Sequence, residues 1–355
     1  MPFPAILRRW PAKRINLALQ GGGSHGAFTW GVLDRILEDE RIELEGISGT
    51  SAGAMNAVVL AHGLTTGGRE GAREALGKFW ESIADRVPFD PLWSGFMGQT
   101  GVTQGSGLPP VLKAMMGLTR FLSPYQLNPF DVNPLRDIVA GTIDFERLRA
   151  ECRLKLFIAA TQVRTGKLRL FRTGELTADA VLASACLPSL HHGIEIDGEL
   201  YWDGGYSANP AVYPLIYHCR SPDVVIVLLH PMRLAKNPGT AGEIWNRVTE
   251  LGFSAGFLRE MRMIAQAKAN VERGLFSIGR LERRLRRLKF HLVEAEELMS
   301  QLSTESKLSA HLPFITMLRD QGRARAEAWL AENFGRIGSR SSVDLTELFG
   351  ERGSG

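Results

Sequence analysis

The 355-residue sequence predicts an α/β fold, a largely parallel sheet packed between helices. Two observations carry that expectation. Short apolar strands end in glycine-rich turns that open helices, first over Ile15 to Gly26 and again over Leu44 to Ser51. Farther along, Val224 to Leu229 is a near-continuous apolar run, the pattern of a strand covered on both faces.

Taken in order, residues 1–14 form an N-terminal segment carrying Arg8, Arg9, Lys13 and Arg14, with no continuous apolar run of signal length. Ile15 to Gln20 reads as the first strand, Gly21 to Gly26 as its turn, and Ala27 to Leu37 as a helix of small and apolar residues. Leu44 to Ser48 is the second strand, followed by a turn at Gly49 to Ser51 and a helix through Ala61. Residues 87–134 break the pattern with Pro, Gly and Met beside Trp93, Phe96, Met97, Met115, Met116 and Phe121. This is an apolar insertion, read either as a lid or as a flap on the core. Leu154 to Ala160 is a buried strand with Val163 to Leu170 as its partner. Asp197-Gly198 is a strong hairpin signal between Gly193 to Ile196 and Glu199 to Trp202, and Asp203 stands where the hairpin ends. The main domain is placed at 15–235. A helical C-terminal region follows at 236–338, with a last strand at 288–293, and then a polar, frayed tail at 339–355.

Composition narrows the function classes. The chain is 44% hydrophobic and 23% charged, ordinary for a globular protein. A net charge of +4, from 42 basic and 38 acidic residues, does not point to nucleic acid but permits attraction to an anionic surface. The basic cluster of Arg283, Arg284, Arg286, Arg287 and Lys289 reads either as a solvated helix face or as a contact for lipid headgroups. Cys152, Cys186 and Cys219 make no disulfide framework and lack metal spacing, so buried thiols in a reducing compartment are expected. No stretch approaches the roughly 18 apolar residues of a membrane span. The expected location is cytoplasmic, with peripheral contact to an anionic membrane. His191-His192 makes a poor metal pair, because adjacent strand residues face opposite ways.

Chemistry concentrates in three short stretches. Gly49-Thr50-Ser51-Ala52-Gly53 matches G-x-S-x-G between a strand and a helix, the context a nucleophile elbow requires. The helix that follows directs its N-terminus at Ser51, which favours developing negative charge. Gly21-Gly22-Gly23-Ser24-His25-Gly26 leaves backbone N–H groups uncovered, and such donors stabilise an oxyanion. The same glycines satisfy G-x-G-x-x-G, but the acids that a dinucleotide site needs, Glu43 and Glu45, stand at the wrong end of the second strand. Asp203-Gly204-Gly205 puts a carboxylate at a hairpin end, and a carboxylate buried beside a serine becomes a better proton acceptor.

These stretches, in this order, together with Ala183-Ser184-Ala185-Cys186-Leu187-Pro188, resemble the patatin-like phospholipase family over about Ile15 to Pro214. The resemblance implies a three-layer α/β fold and metal-free hydrolysis of lipid acyl esters. It makes Ser51 the nucleophile, Asp203 the other half of a catalytic dyad, and the backbone of Gly21, Gly22 and Gly23 the oxyanion hole. The family's glycine loop commonly carries Arg or Lys where this chain has His25, a group only partly charged near neutral pH. That bears on phospholipid preference more than on hydrolysis. Three other readings stay open: a Ser–His–Asp esterase using His218, His230, His291 or His311, with His230 the best placed; an NAD(P)-binding oxidoreductase built on Gly21 to Gly26; and a catalytically idle lipid-binding module.

Overall fold

The computed structural model describes residues 12–86, 122–232, 237–274, 279–302 and 304–350. The tip of the expected apolar insertion, including Trp93, Phe96, Met97, Met115, Met116 and Phe121, lies outside them, as do Arg8 and Arg9.

The first half alternates as expected: β1 (Lys13–Leu19), α1 (Gly26–Glu38), β2 (Ile42–Thr50) and α2 (Ala52–Arg86). The helix expected to end near Ala61 continues to Arg86 across a break at Gly67 and Gly68, where Gly68 takes φ 64°. After α3 (Pro124–Leu127), α4 (Pro134–Thr142) and α5 (Phe145–Glu151) come β3 (Lys155–Gln162), β4 (Leu168–Arg172), α6 (Ala178–Ser184), β5 (Ile194–Ile196) and β6 (Glu199–Asp203). The hairpin between β5 and β6 turns on Asp197 and Gly198 with φ 53° and 77°, the two left-handed residues of a type I′ turn. Next are α7 (Tyr213–His218) and β7 (Asp223–Leu228). The C-terminal region supplies α8 (Ala241–Arg273), α9 (Arg280–Arg287), β8 (Lys289–Glu294), α10 (Glu296–Gln301) and α11 (Leu312–Asn333), and last comes α12 (Leu345–Phe349).

The strands join one sheet in the order β5-β6-β3-β2-β1-β7-β8, with β4 also paired to β3. The pairs among β3, β2, β1, β7 and β8 are parallel, and β4 and β6 run antiparallel to β3. Neighbouring residues of a strand enter different cores, because side chains alternate across the sheet. Leu17, Val225 and Val227 join the core built with α1, α2 and α11. Ala18, Val224 and Ile226 join the opposite core, built with α7, α8 and α12. The result is a three-layer sandwich, helix on sheet on helix.

The C-terminal residues are woven into this frame. β8 extends the sheet through β7, and Gly322 of α11 lies so close to α1 that a Cβ would sit 2.0 Å from the Phe28 carbonyl oxygen. The tail differs from expectation: within 339–355, residues 345–349 form a helix, and burial of Leu345 and Phe349 against the second core holds it. The basic cluster is partly structural as well. Arg284 donates to the carbonyls of Ile216, Cys219, Arg220 and Ser221, and Arg286 to those of Val271 and Gly274.

Candidate active site

Three chain segments meet at the end of the sheet where β1 and β2 finish. The register sets their spacing. Leu19 lies beside Gly49, Thr50 beside Ala159, and Ala160 opposite Asp203. Ser51 therefore follows the end of β2, and Asp203 ends β6 on the far side of β3. Strands sit about 4.8 Å apart, so β3 separates the two backbones by about two strand spacings, and the Ser51 hydroxyl still acts on the Asp203 carboxyl.

Ser51 is one of three described non-glycine residues with positive φ, at 54°. Such a conformation persists where its surroundings enforce it. Here the Ser51 amide donates to Ser184 Oγ at 3.0 Å and its carbonyl accepts from the Met55 amide. Gly49 and Gly53 allow the backbones around the elbow to touch; a Cβ on Gly53 would sit 2.3 Å from the Leu19 carbonyl oxygen. Gly21 lies directly against the serine, where a Cβ would come within 2.7 Å of Ser51 Cβ.

Asp203 is 1% exposed. Its Oδ1 accepts the Gly205 amide at 2.7 Å, while Oδ2 makes no well-formed hydrogen bond. Burial raises the carboxyl from the ordinary 3.8 to about 7, against the lowering effects of the Gly205 amide and the nearby Ser51 hydroxyl. Gly204 lets the turn press on Ala159, and Gly205 makes room for the Phe253 ring. A buried carboxyl raised toward neutrality, beside a serine held in a strained turn, can accept a proton from that hydroxyl.

The glycine loop differs in two respects from expectation. The Gly21 amide, expected to face an oxyanion with those of Gly22 and Gly23, instead donates to Asn209 Oδ1 at 2.7 Å. Gly21 contributes by lacking a side chain, and among the described residues no acceptor takes the Gly22 or Gly23 amide. His25, expected to be partly charged, is neutral. It is buried, its Nε2 lies 2.7 Å from Ser306 Oγ, and burial with nearby Lys307 lowers its pKa to about 3. Gly26 packs against Ala52 and Trp80 at the start of α1.

Two of the histidines weighed for a triad are engaged by other groups. His218 stacks on Phe157 beside Arg172, and His291 bonds Asp223 at 3.1 Å. His311 precedes α11. His230 borders Gly22, and burial drives its pKa well below the ordinary value. Glu45, one of the acids weighed for a dinucleotide, binds Lys155 and the amides of Arg220 and Ser221 instead.

Sequence reasoning missed the residues that brace the site. Gln20 Oε1 accepts the amides of Leu229 and His230, tying the loop to the end of β7. Asn209 holds Gly21, and the carbonyl of Lys307 fills the space beside Gly23, which takes φ 58°. These contacts join residues separated by 188 to 284 positions, and no local pattern announces them.

No curated protein matches the chain. Among solved structures it is similar to VipD from Legionella pneumophila, at 15% identity over 91% of this chain and 67% of that one, with a TM-score of 0.42. It is also similar to a chain of the heterodimeric ExoU–SpcU complex from the type III secretion system of Pseudomonas aeruginosa, at 17% identity over 92% of this chain and 76% of that one, with a TM-score of 0.30. The model of the patatin-like phospholipase family matches residues 17–216, which contain the glycine loop, the Ser51 elbow and the Asp203 turn. With more than half its length in that match, the chain belongs to the patatin-like phospholipase family.

Proposed function

We propose that this protein hydrolyses lipid acyl esters through an acyl-Ser51 intermediate, with Asp203 as the base. The observation that carries the reading is the buried Asp203 carboxyl, raised to about 7, beside the hydroxyl of a serine at φ 54°. Asp203 takes the Ser51 proton as Oγ bonds to the ester carbonyl carbon. The carbonyl oxygen becomes an oxyanion facing the Gly22 and Gly23 amides, with the N-terminus of α2 adding favourable potential. When the intermediate collapses, the bond to the alcohol breaks and Asp203 returns the proton to the leaving oxygen. Water then repeats the sequence: Asp203 removes its proton, hydroxide adds to the acyl carbon, and Ser51 leaves with the proton restored.

No residue of this cycle requires a metal or an organic cofactor. His25, uncharged and bonded to Ser306, offers no cation to a phosphate. Neutral acylglycerols, thioesters and aliphatic polyesters therefore stand beside lysophospholipids and phospholipids as candidate substrates. No helix among the described residues is long and apolar enough to cross a membrane, which suits an enzyme that meets lipid at a surface. The test is fluorophosphonate labelling of the pure protein, followed by a panel of acyl esters varied in chain length and headgroup. Labelling that Ser51→Ala removes supports the reading. Labelling unchanged in Ser51→Ala overturns it.

A further inference from the structure

The turn that carries Asp203 ends on a polar side chain that the hydrolytic cycle leaves idle. Gly204–Tyr206 form one turn of 3₁₀ helix, with Asp203 as its N-cap. Three residues complete such a turn, so Tyr206 returns to the side on which Asp203 stands. The electrostatics agree with that placement. Burial pushes the Tyr206 phenol up to about 12, and the Asp203 carboxylate and the Cys186 thiol nearby add to the effect. The phenol therefore keeps its proton wherever Asp203 titrates.

The ring is held on one side and open on the other. Phe253 lies against it with ring centroids 4.6 Å apart, and Phe253 in turn fills the space beside Gly205. Tyr206 remains 44% exposed, which puts it at the rim of the site and not in its floor. The other polar side chains around the pair are engaged by the protein itself. Ser184 Oγ accepts the Ser51 amide, and Thr161 Oγ1 donates to the Asp203 carbonyl. Ser207 Oγ lies 2.8 Å from Thr161 Oγ1, and Cys186 Sγ donates to the His192 carbonyl. Among the described residues the Tyr206 hydroxyl makes no hydrogen bond.

Strand order assigns the two sides of the serine. In the run β6-β3-β2-β1, the strand that ends at Asp203 and the strand that leads into the glycine loop lie on opposite sides of β2, after which Ser51 stands. An ester whose carbonyl oxygen faces the Gly22 and Gly23 amides therefore turns its alcohol toward Asp203.

Resting on the hydrolase reading above, we infer that Tyr206 is a further catalytic residue, whose hydroxyl donates a hydrogen bond to the alcohol oxygen as its bond to the acyl carbon breaks. The proton that oxygen receives is the one Asp203 took from Ser51. Tyr206 keeps its own proton and eases the charge that builds on the oxygen before the transfer is complete. The arrangement serves esters of glycerol-type alcohols. An alkoxide is a poor leaving group and gains from such a donor, whereas a nitrophenolate carries its charge well and gains little.

The experiment compares two soluble esters of one short fatty acid, its monoacylglycerol and its p-nitrophenyl ester, in the wild type and in Tyr206→Phe. That substitution removes the hydroxyl and keeps the ring on Phe253. The readout is the ratio of kcat/KM for the glycerol ester to kcat/KM for the nitrophenyl ester. Tyr206→Phe should lower this ratio about fivefold, the change expected of one uncharged hydrogen bond. A merely structural role moves both esters together. An unchanged ratio, whether both rates hold or both fall, overturns the inference while the wild type still hydrolyses and still takes fluorophosphonate. A wild type that turns over neither ester and takes no fluorophosphonate shows the different failure, that of the hydrolase reading, and the role of Tyr206 falls with it.

Discussion

The site is braced by two regions that work by different physics. The segment that contains the motifs fixes its own parts with directed hydrogen bonds. Ser184 holds the Ser51 amide, Asn209 the Gly21 amide, and Gln20 the amides after β7. The C-terminal region supports the same parts mainly by contact. Phe253 lies on Gly205, Gly256 on Ser207, and the Lys307 carbonyl on Gly23. A hydrogen bond specifies a donor and an acceptor, so its loss leaves one buried group unsatisfied. A glycine contact specifies empty space, so it is broken by adding an atom rather than by removing one. The two regions should therefore fail differently under substitution.

The largest effects belong to the proposed reacting pair, Ser51 and Asp203, which neither brace can replace. Ser51→Ala should abolish turnover. Asp203→Asn should lower kcat by on the order of 10²–10⁴-fold, the range for losing a positioned base. In the wild type, kcat/KM should rise with pH through an apparent pKa near 7, because the base must be ionised. A profile that is flat between pH 5 and pH 8 would remove Asp203 from that role. The same group makes a stability prediction of opposite benefit. Its folded-state pKa lies above the ordinary 3.8, so the folded state holds the extra proton and stability falls as pH rises between about 4 and 7. Asp203→Asn should then be more stable than wild type at pH 8, by as much as a few kcal/mol at about 1.4 kcal/mol per pKa unit, and nearly equal to it at pH 4. Glu260, also raised to about 7, acts with the same sign in both proteins and cancels from the difference.

The packing brace is sharpened by two glycines of one helix. A Cβ on Gly256 would meet the Ser207 carbonyl oxygen at 2.3 Å, whereas nothing lies within 4 Å of one on Gly252. Gly256→Ala should cost about 1–3 kcal/mol by overpacking and reduce kcat as the Asp203 turn shifts. Gly252→Ala should stabilise by up to about 1 kcal/mol through helix propensity alone, with kcat unchanged. Melting curves and steady-state rates of the two variants, side by side, check both. Equal effects would mean that α8 does not position the turn.

The contrast also explains what could be read from the residues alone. Strands that alternate with glycine turns, the Asp197-Gly198 hairpin and the Ser51 elbow are set by neighbours within a few positions, and they stand where periodicity and turn chemistry place them. β8 stands where the last strand is expected at 288–293, and its partner β7 where an apolar run places it. The charge state of His25 was not legible, because burial decides it first and Lys307, more than 280 positions away, adds to it. Nor was the helix at 345–349, where two buried side chains in a polar stretch outweigh the local composition. The engaged Gly21 amide belongs to the same class, since a triple glycine shows that donors are uncovered but not which of them finds an acceptor.

The smallest predicted effect tests the hydrogen-bonding style of support inside the C-terminal brace itself. Ser306 Oγ lies 2.7 Å from His25 Nε2, and both residues are buried. The imidazole is neutral, so this is an uncharged hydrogen bond and not an ion pair. His25 Nδ1 already has no partner among the described residues. Ser306→Ala therefore leaves the ring with both nitrogens unpaired in a buried site, at a cost of about 1–3 kcal/mol. The loop's glycines keep their contacts with Ser51 and the Lys307 backbone, so kcat should fall by less than tenfold. Were His25 instead a working cation, removing Ser306 would leave stability nearly unchanged and add a new ionisation near pH 6.5 to the rate profile. A melting shift without a new ionisation supports the buried, neutral histidine; the reverse pair of results would return His25 to the chemistry.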